Sequence, residues 1–153
     1  MGMQFGALPV RLRDGRPVVL LVTSRDTGRW VIPKGWPMPG RSREQAAATE
    51  AFEEAGLRGR IIGGCIGGYS YWKQYRTRRM LCTVDVFLMR VDAELPRWPE
   101  KRQRLRHWFT PEEAATLVEE QVLADIIRSV PALFPARRSA GGKRAKMGDE
   151  PRR

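Results

Sequence analysis

Trp30-Val31-Ile32-Pro33-Lys34-Gly35-Trp36-Pro37-Met38-Pro39-Gly40 runs into Arg41 to Ala48 and then Thr49-Glu50-Ala51-Phe52-Glu53-Glu54-Ala55-Gly56-Leu57. The pattern predicts a short strand, a Pro/Gly-rich loop and a helix. Ser42 followed three residues later by Gln45 is a capping-box signature. Gly56 stands where a helix ends in a left-handed residue. Between them lies an Ala-rich run with Glu and Gln, residues that favour a helix.

At about 100° per residue, Glu50, Glu53 and Glu54 fall within roughly 100° of arc, with Ala48, Ala51, Phe52 and Ala55 on the other side. The apolar side can pack while three carboxylates share one patch. Like charges three and four residues apart cost a few tenths of a kcal/mol per pair, so the clustering asks for a reason. A hard divalent cation such as Mg²⁺ or Mn²⁺ supplies one, because it takes oxygen ligands and shares them with phosphate. A lone E-x-x-E-E is otherwise read as a solvated acidic face. The loop before it and the glycine stop after it favour the metal reading.

The same residues resemble a known motif. The pattern G-x5-E-x7-R-E-U-x-E-E-x-G-U, with U apolar, is the Nudix box of hydrolases that split diphosphate linkages. Gly35 takes its first place, Glu50 the central Glu, Ala51 the U, and Glu53-Glu54-Ala55-Gly56-Leu57 its end. Arg41 stands where the first Glu is usual and Thr49 where the Arg is usual. The resemblance implies a Nudix-type α/β/α sandwich with a mixed sheet.

Composition bounds the rest. The chain has 153 residues, which suits a Nudix domain over residues 1–135 and a tail over 136–153. An apolar content of 42% is enough for a core, and no apolar run is long enough for a membrane span. Neither a signal peptide nor a myristoylation pattern opens the sequence, so the cytoplasm is the expected compartment. Cys65 and Cys82 sit alone in apolar runs and read as buried thiols. His107 is the single histidine, which leaves almost no material for a zinc site or a His-based triad. Net charge is +11. The tail holds seven Lys/Arg and two acids, a net +5, leaving +6 for the body. Its polarity reads as disorder, and the overall charge points to anionic partners: polyphosphates, nucleic acid such as RNA, or a membrane surface.

In chain order, Phe5 to Leu12 reads as a strand, with Pro9 suggesting an edge or a bulge. Val18 to Val22 is a buried strand after the turn Asp14-Gly15-Arg16-Pro17. Arg60 to Trp72 and Met80 to Val91 form a hairpin around a basic loop, Lys73 to Arg79. Arg104 to Phe109 alternates as a half-wet strand. Thr110-Pro111 opens one helix, and a second covers Glu120 to Ser129.

Outside the box, the sequence is similar to the diphosphoinositol polyphosphate phosphohydrolase branch over roughly Ala7 to Val118. Val19 to Arg25 with Arg29-Trp30, Glu53 to Gly59, and Arg104-Leu105-Arg106-His107-Trp108-Phe109 carry that similarity. Lys34-Gly35-Trp36 replaces the branch's three-glycine run. The expected reaction is metal-dependent hydrolysis of a phosphoanhydride, in a diphosphoinositol polyphosphate or a dinucleoside polyphosphate. Glu50 and Glu54 would hold the metal, and the resemblance adds the Gly35 backbone carbonyl. It also implies Glu53 as general base, with Glu100 and Glu120 as alternatives outside the box. Arg25, Lys34, Arg76, Arg78, Arg79, Arg104 and Arg106 are the cations placed to neutralise substrate phosphates. Core packing is the expected role of Trp30, Trp72 and Trp108, whereas Trp36 in the loop can stack on a base. Two other classes stay open: an RNA-binding or RNA-end-processing protein, and a non-catalytic sensor of a phosphorylated ligand.

Overall fold

The computed structural model describes residues 2–135. The expected tail lies outside them. A mixed sheet runs β3-β2-β1-β6-β5 across the molecule. Its strands are β1 (Gly2–Arg13), β2 (Arg16–Thr23), β3 (Trp30–Val31), β5 (Leu57–Gln74) and β6 (Arg79–Glu94). Two short strands extend it: β4 (Lys34–Gly35) pairs β1, and β7 (Arg106–Phe109) pairs β2. The β1–β6 ladder is parallel and the others are antiparallel.

The central strands are apolar on both faces because both faces are covered. Leu8, Val10, Val19, Leu21, Val84, Val86 and Leu88 point to one side. There they meet α2 (Pro111–Leu117), α3 (Gln121–Arg128) and the single turn α4 (Val130–Leu133). Phe5, Ala7, Leu20, Val22, Phe87 and Met89 point the other way, towards α1 (Arg43–Ala55). The result is the expected α/β/α sandwich. Truncating one of the fully buried side chains, such as Leu8, Leu20 or Phe87, costs roughly 2–5 kcal/mol.

Several local expectations are revised by this packing. Pro9 sits in the central strand rather than at an edge. It falls between the residues that pair β4 (Phe5, Gly6) and those that pair β2 (Val10 to Arg13), so its missing N–H leaves the ladder intact. Cys82 is buried as expected, but Cys65 is exposed in the bulged part of β5. Trp72, expected in the core, is 54% exposed.

Helix α1 positions the site. Ser42 and Gln45 form the complete capping box, and Gly56 ends the helix at φ 69°. The terminal carbonyls are satisfied from outside: Trp98 Nε1 donates to the Glu54 carbonyl at 3.0 Å, and Arg106 Nη1 to that of Ala55 at 2.8 Å. A cation at this end also suits the helix dipole. The buried side of α1 comprises Ala46, Ala47, Ala51, Glu54 and Ala55. It is rotated towards the carboxylates relative to the expected Ala/Phe stripe. Phe52 is half-buried under the Arg58 guanidinium, and Glu54 goes inside in its place.

Candidate active site

A cleft of about 410 Å³ opens where α1 faces β4, the loop at residues 24–29 and the end of β5. Glu50 and Glu54 line it from the helix, and Lys34, Gly35 and Trp36 from β4 and the following loop. Arg25 and Arg29 come from the loop after β2, Tyr71, Trp72 and Lys73 from β5, and Glu100 and Arg104 from the connection after β6.

The two helix carboxylates sit one turn apart in a poorly solvated corner. The Glu50 carboxyl is pushed up to about 8, first by burial and then by Glu54, with Glu53 and Glu100 adding to it. Burial raises the Glu54 carboxyl too, against the pull of Arg104 and Lys34. A corner where two acids are hard to ionise is one that favours added positive charge. The backbone of Gly35 lies against Glu50, and a Cβ there would collide with the Glu50 carboxylate. Only glycine permits this approach. It leaves a carboxylate beside open backbone, the hard oxygen set that a divalent cation takes. Among the described residues no three acidic, histidine or cysteine side chains gather as a ready-made metal cage. Two carboxylates suffice for an ion that completes its shell with water and substrate phosphate.

The cations divide by how far the protein already occupies them. Lys34 lies with its ammonium 4.9 Å from the Tyr71 ring centre. Burial pushes it below the usual lysine range, opposed by Glu54 and assisted by Arg29 and Arg104. Arg25 is half exposed at the rim, donating to Gln103 Oε1 at 3.2 Å. Arg104 is only 9% exposed and has three protein partners. Its Nε meets Glu100 at 2.6 Å, Nη1 the Thr23 carbonyl at 3.0 Å and Nη2 the Glu54 carboxylate at 3.5 Å. It lines the cleft and holds Glu54 in place.

Arg106 lies outside the cleft. It pairs with Glu94 at 3.2 Å, stacks on Trp98 at 3.9 Å and caps α1. Arg76, Arg78 and Arg79 are exposed around the tip of the β5–β6 hairpin, beyond the cleft lining. Arg78 lies over Tyr75 and Arg79 over Trp72. Glu53 is half-buried on α1 and is not part of the lining, whereas Glu100 is. Glu120 meets Arg29 at 2.8 Å behind the cleft wall.

Sequence reasoning missed Arg29 as a site residue. Its Nε and Nη2 reach Glu119 and Glu120, while Nη1 is buried without a hydrogen-bond partner among the described residues. Its only sequence signal is its place beside Trp30, at the start of the central stretch. Gln4 was missed as well; it accepts from the Tyr71 hydroxyl at 2.7 Å, and its partner is 67 residues away.

Comparison with known proteins agrees with the geometry. The NUDIX domain profile matches residues 2–130. Nudix hydrolase 16, mitochondrial, of Arabidopsis thaliana is 35% identical over 106 residues, covering 66% of this chain and 58% of the relative. Diphosphoinositol polyphosphate phosphohydrolase 3-alpha of Mus musculus is 32% identical over 104 residues, covering 67% of this chain and 60% of the relative. The chain thus spans about three-fifths of the length of these curated relatives. Among solved structures, a C. elegans Ap4A hydrolase superposes with a TM-score of 0.63 at 20% identity, covering 87% of this chain and 98% of that one. A MutT protein from Methanosarcina mazei Go1 gives 0.59 at 20% identity, over 87% and 94% of the two chains. These two likenesses concern the fold. With the box residues seated in one cleft and the domain profile spanning nearly all the described residues, the chain belongs to the Nudix family.

Proposed function

We propose that this protein is a divalent-cation-dependent hydrolase that adds water across a phosphoanhydride bond of a polyphosphorylated small molecule, a dinucleoside polyphosphate or a diphosphoinositol polyphosphate. One observation carries the reading. Glu50 lies against the Gly35 backbone, with Glu54 one turn along the helix, in a cleft that Lys34, Arg25 and Arg29 also line. Glu50, Glu54 and the Gly35 carbonyl are the groups to hold Mg²⁺ or Mn²⁺. When bound, the cation supplies positive charge to the phosphoryl oxygens and acidifies water.

The chain's own residues do the rest. Lys34 offers donors to phosphate oxygens inside the cleft, Arg25 offers a fork at its rim, and Arg29 adds positive charge to the cleft wall. Arg104 fixes the Glu54 carboxylate. Glu53 has the base role implied by the family, and Glu100 is its rival because it faces the cleft. Comparing Glu53→Gln with Glu100→Gln separates them: the base is the one whose loss lowers kcat with little change in KM.

The direct test is turnover of dinucleoside polyphosphates, nucleoside triphosphates, ADP-ribose and inositol pyrophosphates with Mg²⁺ or Mn²⁺. Glu54→Gln is expected to lower kcat/KM by roughly 10²- to 10³-fold with the fold retained, the scale of losing one preorganised charge-stabilising group. Full activity in excess chelator, or in Glu54→Gln, overturns the reading. Tight binding of these compounds without turnover points to a sensor instead.

A further inference from the structure

We propose that Trp36 is a stacking platform for a nucleobase, which directs the cleft to diphosphates that carry a nucleotide. The chain has five tryptophans, all within the described residues. Four have an engaged ring. Trp30 meets Phe109 edge-on at 5.1 Å, and Trp72 carries Arg79 at 4.4 Å. Trp98 carries Arg106 at 3.9 Å and Trp108 carries Arg11 at 4.1 Å. Trp36 has neither an aromatic neighbour nor a cation over its ring among the described residues, and it is 39% exposed where it lines the cleft.

The ring is also seated. A Cβ at Gly2 would lie 2.6 and 2.7 Å from two carbons of its six-membered ring, so the indole rests on bare β1 backbone. An indole seated against β1, part-exposed and lining a cleft that Lys34, Arg25 and Arg104 also line, is placed to stack with a flat ring attached to a diphosphate. A saturated inositol ring has no such face, and cations alone suffice to hold its phosphates. The platform therefore favours the nucleotide-bearing substrates.

The inference rests on the phosphoanhydride reading for the anionic half of the substrate, yet binding tests it without turnover. The probes are α,β-methylene-ADP and methylenediphosphonate, the same non-hydrolysable P–C–P group with and without a base, titrated by calorimetry in the presence of Mg²⁺. Trp36→Leu should weaken the base-bearing probe roughly five- to one-hundred-fold, the span of base–aromatic stacking. Methylenediphosphonate should keep its affinity within about twofold, and Trp36→Tyr should retain most of the affinity for both. Gly2→Ala, which must displace the ring without removing it, should also weaken the base-bearing probe selectively and serves where Trp36→Leu does not fold. Equal losses for the two probes overturn the platform, as does α,β-methylene-ADP binding that is unchanged in Trp36→Leu or undetectable in the parent. Selective loss in a protein that splits no diphosphate would sink the hydrolase reading and leave the platform standing.

Discussion

Arg41 donates from Nη1 to the Thr49 hydroxyl at 2.7 Å, and that hydroxyl donates in turn to the Gln45 carbonyl at 2.8 Å. These are the two positions where the sequence departs from the usual box, and they touch. The contact is a hydrogen bond at the surface, on the residue just before Glu50, so it contributes under about 1 kcal/mol to stability. Its leverage is on where the start of the acidic face sits. Thr49→Arg sets two guanidinium groups side by side and should lower kcat/KM. Arg41→Glu added to Thr49→Arg restores an ion pair and should recover much of the loss. A double-mutant cycle measures the coupling; simple additivity would show that the two departures are unrelated. Arg104 makes the complementary case for a buried charge. Arg104→Met strips Glu54 of its cation while leaving it 6% exposed, and should cost roughly 3–5 kcal/mol in a denaturant titration. Glu54→Gln in that background should recover part of it, and no recovery would mean that the cost comes from the lost Glu100 and Thr23 contacts rather than from Glu54. The Glu50–Glu54 spacing is legible in the sequence because it follows the helical period. The roles of Arg104 and Arg106 are not, because their partners on α1 lie about fifty residues away in the chain.

Among the elements, the helix caps read most directly, since each is a contact within four residues. Thr110 accepts from the Glu113 amide at 3.1 Å, and the Glu113 side chain accepts from the Thr110 amide at 3.0 Å. Bonding to the Thr110 backbone, then to its side chain, holds the Glu113 carboxyl below its usual value. A depressed acid contributes stability that is complete above its unfolded pKa of 4.5 and is lost as pH falls through the lower folded value. The prediction is that Glu113→Gln, which keeps the cap geometry, flattens the fall in Tm below about pH 4.5 relative to the parent. Identical acid profiles would show that the cap does not feel the charge. The strands were legible as apolar runs, but their neighbours were not. Pro9 argued for an edge on local grounds, and only the change of partner from β4 to β2 shows how a central strand tolerates it. Likewise the orientation of α1 depends on which arc the sheet accepts, and that arc takes in Glu54, paired with Arg104, in place of Phe52.

At the scale of the whole molecule, charge and cleft are separate sources of anion affinity. The cleft is closed by elements between β1 and the connection after β6, and the last helical turn ends at Leu133. Residues 136–153 hold +5 of the net +11. Among the described residues no helix is long and apolar enough to cross a membrane. A phosphate-rich small substrate should feel the cations inside the cleft at short range, where screening is weak. A long polyanion should also feel the distant positive charges, through a salt-dependent term that grows with the number of counterions it releases. Cutting the chain at Arg137 lowers the net charge to about +6 and should separate the two. Affinity for a single-stranded RNA homopolymer should fall and its dependence on log salt should become shallower, while kcat/KM on the small diphosphate substrate stays within about twofold. Tm should move by less than about 2 °C, equivalent to under 1 kcal/mol. A larger drop in Tm would show that residues beyond 136 pack on the domain. An unchanged salt slope would place the polyanion contact on the hairpin cations Arg76, Arg78 and Arg79, which the truncation leaves in place.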